Sequence, residues 1–385
     1  MRKSPLFLLI LLILVLLLAA FLIQQQTRGR GQVSHITSSS YLANIDFEPI
    51  NSYGTYNPAA LTNPNIGAID INMNWVKVEP QQGVFNWEPV DNEIAAWAGQ
   101  GKKFTLIVRY IEEGNSATDC SHQQFLPAWE IERIQNFCDN GILMPDYFDP
   151  TFIGDLKAYV QAIAQHVAQN PYKHNLLYVR IGVGVGGEGF PLIVHGNYPW
   201  NKNQLIADGY SPQNWAIWQK AMLSFYKSIF PYTTVIYPVN GQDTDPTTGQ
   251  PVQVENANWA AMNGFGVGQQ GLRPGTISPL FQLLRLHYPK LYIQYQTVSA
   301  VGSYRGVHAD IQAADKNGAQ FIEWYSGDAV NQAYQSLFAR WQQMVNDKFG
   351  GMSSASQKTG LSLSYEGVRY ERFAVSSRRM KSTTW

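Results

Sequence analysis

The sequence holds little cysteine, little charge and no excess of either sign. Of its 385 residues only two are cysteines, Cys120 and Cys138. No histidines cluster beside them, so a metal site is not expected. That leaves a disulfide or two free thiols. Charged residues make up 15% of the chain, 28 basic against 28 acidic, for a formal net charge of zero. Without a basic stripe nothing points to nucleic acid. No internal repeat or structural low-complexity tract occurs. The glycine-rich run GVGVGGEG has the look of a dinucleotide fingerprint, but its register fails and no acid follows at the required distance, so no cofactor is expected. Nothing in the sequence calls for a protein partner.

Aromatic residues are abundant, at 13% of the chain with 11 Trp and 21 Tyr. Part of that builds a core. Trp and Tyr beside Asn and Gln also suit sugar rings, whose C–H faces lie on indole while their hydroxyls bond amides and carboxylates. Residues Pro5–Ile23 are uninterruptedly apolar after Arg2 and Lys3. As a helix they would span roughly 28 Å, close to the hydrocarbon thickness of a bilayer. The exit, Gln24-Gln25-Gln26, is a poor cleavage site, which favours an uncleaved anchor over a removed signal peptide. Arg28 and Arg30 on the far flank weaken any orientation argument from charge bias. Residues 1–40 therefore read as an anchor or signal followed by a short polar tether, with the rest extracytoplasmic, or secreted if the leader is cleaved. An exported chain permits a Cys120–Cys138 disulfide, worth on the order of 3 kcal/mol by the chain-entropy model.

From Tyr41 onward, strand-like runs alternate with helical patterns, as in a parallel sheet of β–α units. The strands are expected at Tyr41–Ile50, Ile66–Val78, Lys103–Tyr110, from Leu176, at Thr233–Val239, near Asn258–Val267, at Leu291–Ser299 and at Ala319–Tyr325. Asn86 or Asp91 is the expected cap of the helix after the second strand. Eight such units over about 300 residues predict an α/β fold, a (β/α)8 TIM barrel with enlarged βα loops, spanning 41–348 behind the N-terminal transmembrane or signal helix. The long connection Ile111–Pro150 carries both cysteines. Residues 349–385 form a Ser-rich, basic-ended tail with room for one strand around Leu361–Phe373.

The stretch Leu176–Phe190, LLYVRIGVGVGGEGF, begins as a strand and dissolves into glycines around one carboxylate, Glu188. An acid at the C-terminal end of a barrel strand, in a bare backbone patch, is where such barrels put their chemistry. The bland alternative is a strand-ending turn with a solvated Glu.

A second segment runs from Trp75 through Lys77, Glu79-Pro80, Gly83 and Phe85 to Trp87, then a helix, then GKKFTLIVR. It resembles the second-strand region of the large retaining clan of (β/α)8 glycoside hydrolases, which includes family 42 β-galactosidases, family 10 xylanases and family 5 cellulases. The resemblance implies hydrolysis of O-glycosidic bonds in a poly- or oligosaccharide. It makes Glu188 the general acid/base at the fourth strand end, although Gly187 stands where an Asn is usual. It also implies a carboxylate nucleophile on the seventh strand, where this chain has an amide, Gln294 or Gln296. An amide cannot act in that double displacement. The nearest inward substitute is Glu323 on the eighth strand, by parity with Phe321 and Tyr325. Its alternative is a salt bridge with Arg109 or Arg180.

Trp324 resembles the clan's eighth-strand tryptophan that floors the sugar subsite. Trp75, Arg109, Tyr110, Asn240, Gln294 and Gln296 complete the expected substrate contacts, while Trp87 reads as packing. Asp46, Asp70, Glu112, Glu113, Asp243 and Asp328 are reserve carboxylates, Asp70 being better suited to a buried bond within the sheet. A barrel that binds surface glycan without turnover is the rival reading.

Overall fold

Among the described residues there are ten strands, most of them in runs with β-branched or aromatic residues, and eight close into one parallel barrel. In the computed structural model the described residues are 44–47 (backbone only), 58–111, 120, 125–139, 142–191, 202–239, 251–273, 278–297 and 301–350. The strands are β1 (Asn44–Phe47), β2 (Ala68–Asn74), β3 (Lys103–Arg109), β4 (Asn136–Asp139), β5 (Ile142–Pro145), β6 (Leu176–Arg180), β7 (Thr234–Pro238), β8 (Gly266–Leu272), β9 (Ile293–Thr297) and β10 (Phe321–Tyr325). The barrel order is β1-β10-β9-β8-β7-β6-β3-β2, with β4 and β5 apart as an antiparallel hairpin. The chain is thus a TIM-like barrel with helices packed outside it.

The outer helices start where the sequence supplies caps. Side chains of Asp149, Ser211, Ser278 and Ser303 accept the first free N–H groups of helices Pro150–Gln169, Pro212–Ile229, Pro279–His287 and Tyr304–Lys316. Proline opens three of these, where its missing N–H costs nothing. The helix Glu88–Gly99 departs from expectation. It begins at Glu88-Pro89 with no side-chain cap, and Asp91 instead takes an amide bond from Asn170 at 2.9 Å and lies 2.8 Å from His166 Nε2.

The sixth barrel strand also lies elsewhere than expected. Residues Val252–Met262 are helical, and β8 starts only at Gly266. Its sequence, GVGQQGL, has poor strand propensity, but pairing with β7 and β9 on both sides overrides it. The glycines matter for packing. A Cβ on Gly266 would sit 2.3 Å from Ile236 Cδ1, and one on Gly268 would sit 2.2 Å from Gln294 Oε1.

The long connection after β3 also holds the antiparallel hairpin β4–β5, which the alternation of strands and helices does not predict. A disulfide ties Cys120 to Cys138 of β4, with Cα atoms 5.8 Å apart. Residues 5–23 and the tail from 351 lie outside the described residues. Among those described, no helix is long and apolar enough to cross a membrane.

Candidate active site

The lumen changes character along its axis. At its lower end Ala68, Tyr178, Ile236 and Phe321 form an apolar cluster, with Tyr292 stacked on Phe321 at 6.0 Å. One step higher the inward positions turn polar, with Asp70 and Asn72 on β2, Arg180 on β6, Gln294 and Gln296 on β9 and Glu323 on β10. Strand alternation selects these residues, since every second side chain of each strand faces the axis.

Arg180 is the hub of that layer. Its Nη1 donates to Glu323 Oε2 at 3.0 Å and to Gln296 Oε1 at 3.0 Å, and its Nη2 lies 3.7 Å from Asp70 Oδ2. The other Glu323 oxygen accepts the Tyr178 hydroxyl at 2.6 Å, and Thr105 donates to Asp70 Oδ1 at 2.6 Å. Two buried carboxylates compete for one guanidinium. Burial pushes the Glu323 carboxyl up to about 7, against the pull of Arg180 and with the push of Asp70. Burial draws the Arg180 guanidinium down, but Glu323, Asp70, Tyr178 and Glu188 together hold it above its usual range.

Glu188 stands above, at the end of a tight turn, Val185–Gly187, that only this sequence of glycines permits. Gly186 and Gly187 have φ of 64° and 76°, and a Cβ on Gly184 would meet the Phe190 carbonyl oxygen at 1.9 Å. Side chains from three other elements clamp this loop. Arg109 donates to the Gly186 carbonyl through Nε at 2.9 Å and Nη2 at 2.6 Å. Trp215 Nε1 and Gln219 Nε2 donate to the Gly189 carbonyl at 3.0 and 3.2 Å. Tyr147 donates to the Pro191 carbonyl at 2.8 Å. Glu188 itself is half-buried, and its charge reaches Arg180.

Several expected contacts serve packing instead. Trp75 is buried outside the barrel, stacked on Tyr159 at 5.0 Å, with its Nε1 donating to Glu79 Oε2 at 2.8 Å. Glu79 also takes the Gly83 N–H at 2.8 Å, which closes the turn. Tyr110 is buried edge-on to Phe152 at 5.5 Å. Trp324 is turned away from the lumen, against Phe338 of the helix Gln335–Val345 at 5.2 Å. The parity that aims Glu323 inward aims its neighbour outward, so Trp324 does not floor the mouth. Trp87 stacks on His166 of an outer helix at 4.2 Å. Arg109 grips the loop rather than open solvent. Gln294 is sealed in the lumen, whereas Gln296 keeps 8% exposure.

Glu323 departs furthest from its expected role. It faces the axis as parity requires, yet it is completely buried and both oxygens are engaged. Of the two alternatives for it, the salt bridge with Arg180 is the one present, and it lies in the lumen rather than at a rim. Asn240, Glu112, Glu113 and Asp243 lie outside the described residues, as does the Asp46 side chain. Asp328 accepts from the backbone of Val301 and Gly302. Arg180 and Tyr178 were missed as site residues, although their shared strand face was legible. Among the described residues no group of three His, Cys, Asp or Glu is placed to hold a metal ion.

No protein-family model and no curated protein matches this chain. Solved structures do resemble it in fold. The catalytic domain of a β-amylase from Paenibacillus polymyxa is 14% identical, with a TM-score of 0.55 over 82% of this chain and 99% of that one. An exo-β-1,4-mannosidase from an Opitutaceae bacterium is 11% identical, with a TM-score of 0.47 over 80% of this chain and 60% of that one. Xylanase 10B from Thermotoga petrophila is 10% identical, with a TM-score of 0.47 over 83% and 98%. At 14% identity the likeness to the β-amylase domain shows a shared barrel fold and no more.

Proposed function

We propose that this chain is a glycoside-hydrolase-like barrel that takes a poly- or oligosaccharide at the mouth formed by the C-terminal strand ends, with Glu188 as the proton-transferring acid. The observation that carries the reading is the loop itself. A half-buried carboxylate is delivered to the C-terminal end of β6 by a turn with two left-handed glycines and clamps from Arg109, Trp215, Gln219 and Tyr147. A merely solvated turn has no need of such bracing. A fixed position is what proton transfer to a leaving oxygen requires. The likeness in fold to a β-amylase catalytic domain supports the same substrate class. The reading stays at the level of the clan, without a choice among its families.

In this reading Glu323, the inward carboxylate on the eighth strand, acts through Arg180 rather than by attacking a sugar. Its buried, doubly bonded state favours a second reading, a barrel that holds glycan without turnover. The disulfide and the apolar run Pro5–Ile23 support placing the barrel outside the cytoplasm on an N-terminal anchor.

Release of aryl alcohol from a panel of arylglycosides by the full chain, compared with Glu188→Gln, tests the reading. Turnover that falls by two or more orders of magnitude in the variant supports it. Turnover unchanged in Glu188→Gln removes Glu188 from the chemistry. No turnover on any glycoside, with glycan binding still measurable, establishes the second reading instead.

A further inference from the structure

The net charge of zero conceals a sorted surface. In a parallel barrel all the connections from helix to following strand emerge at one end, opposite the mouth. Among the described residues, the last helical turns and following loops on that underside carry Lys102, Lys103, Lys173, Lys227, Arg285, Lys290, Lys316 and Lys348 against Asp315 and Asp347. Part of this is local chemistry, because cations suit helix C-termini. Lys102 bonds the carbonyls of Asn63 and Ile66 at 2.5 and 2.7 Å, and Lys173 bonds that of Ala168 at 3.2 Å. Capping does not account for Lys290, which lies in the loop beyond its helix and is exposed; Lys316 ends its helix and is exposed on the same face.

A second feature coincides with the charge. Leu286 at 75% and Tyr232 at 74% are the most exposed large apolar side chains among the described residues; Ile217 at 65%, on an outer helix, comes next, and then Met262 at 58%. Leu286, Tyr232 and Met262 belong to the underside, at a helix's last turn, in the loop before β7 and at the end of the helix before β8. Isolated exposed leucines mean little. Leucine, tyrosine and methionine set among lysines form the composition of a surface that meets a headgroup layer.

The ends of the described chain are on this side too. The chain enters the barrel at Asn44, the N-terminal end of β1, and leaves by Gly350, beyond a helix that runs antiparallel to the strands. Arg285 lies over Phe349 at 5.0 Å, which joins the chain's exit to the helix that presents Leu286. In sequence, Pro5–Ile23 precedes this entrance, and Arg369, Arg372, Arg378, Arg379 and Lys381 follow the exit.

We infer that the barrel's underside rests on an anionic phospholipid surface, with Tyr232, Met262 and Leu286 at headgroup depth, so that the mouth bearing Glu188 points away from the membrane. The inference draws on the proposed N-terminal anchor, but the contact stands on its own charges. The occupant is lipid, since acidic headgroups offer the diffuse negative charge that scattered lysines match, beside a depth of apolar contact.

The test mixes the full-length chain with preformed vesicles, either phosphatidylcholine alone or containing phosphatidylglycerol. It combines flotation with mass-resolved labelling by an amine-reactive reagent. Labelling of Lys173, Lys227, Lys290 and Lys316 is expected to slow by about fivefold or more on anionic vesicles, given the attraction per basic residue near such a surface. Lys220, on an outer helix flank, keeps its rate, and high salt abolishes the protection. In Lys290→Glu/Lys316→Glu, whose exposed sites leave folding intact by circular dichroism, protection of Lys173 and Lys227 is lost. Flotation on neutral vesicles reports the anchor separately. A chain that floats only on anionic vesicles supports the face while removing the anchor. Equal labelling of these lysines on both vesicle types at low salt overturns the inference.

Discussion

Glu323 offers the sharpest quantitative test of the lumen. Its carboxyl titrates at about 7 in the folded protein, against an ordinary value of 4.5. The folded state therefore binds this proton more tightly than the unfolded chain does. A group raised in this way contributes stability that is fully present below pH 4.5, declines between 4.5 and 7, and is gone above 7. The difference corresponds to roughly 3 kcal/mol at most. Glu323→Gln mimics the protonated form at every pH. Its amide oxygen can still accept from Arg180, and the Tyr178 hydroxyl can turn to accept from the amide nitrogen. Wild type should then match the variant near pH 4.5 and fall below it by up to about 3 kcal/mol at pH 8. Glu130 and Asp310, raised by burial to about 8 and 7, add slopes of the same sign. They are present in both proteins and cancel in the difference. Urea unfolding at a series of pH values reads this directly. Parallel curves for the two proteins would refute the picture of two carboxylates contending for one guanidinium.

Three further outcomes are expected. Arg180→Met leaves Asp70 and Glu323 buried without their cation, and should cost about 3–5 kcal/mol at pH 8 in the same unfolding assay, less at pH 5 where Glu323 is neutral. Gly268→Ala forces a Cβ to within 2.2 Å of Gln294 Oε1 and 2.9 Å of Ile236 Cγ2, an overpacking that should lower stability by about 1–3 kcal/mol. Reducing the disulfide opens a loop of sequence separation 18 and should cost about 3 kcal/mol, seen as a lower Tm with reductant that Cys120→Ser/Cys138→Ser reproduces without it.

Much of the barrel was legible because period and turn chemistry are local. The strands Lys103–Arg109 and Phe321–Tyr325 announce themselves by apolar runs, and the Ser and Asp caps mark helix starts. The β8 strand was not legible, since three glycines in seven residues read as loop until neighbours on both sides supply the ladder. The loop bearing Glu188 was visible as composition. Its clamps were not, because Arg109 and Gln219 lie 77 and 30 residues from the carbonyls they hold. Trp324 shows the limit of resemblance. Family likeness assigned it to the mouth, while simple alternation with Glu323 already required it to face the helices.

The seventh-strand amide gains meaning once the lumen is seen as a charge ledger. Asp70 and Glu323 already set two carboxylates against Arg180 at full burial. A third carboxylate at position 296, within 3.0 Å of the same guanidinium nitrogen, would compete for a cation that is already shared. One or more of the acids would then have to take up a proton at neutral pH, as Glu323 is already inclined to do. An amide accepts the Arg180 bond without adding charge. Gln296→Glu should therefore raise the Glu323 titration further and lower stability at pH 8 more than at pH 5. If the variant instead gained stability at pH 8, the lumen would have cation to spare and the amide would need another explanation.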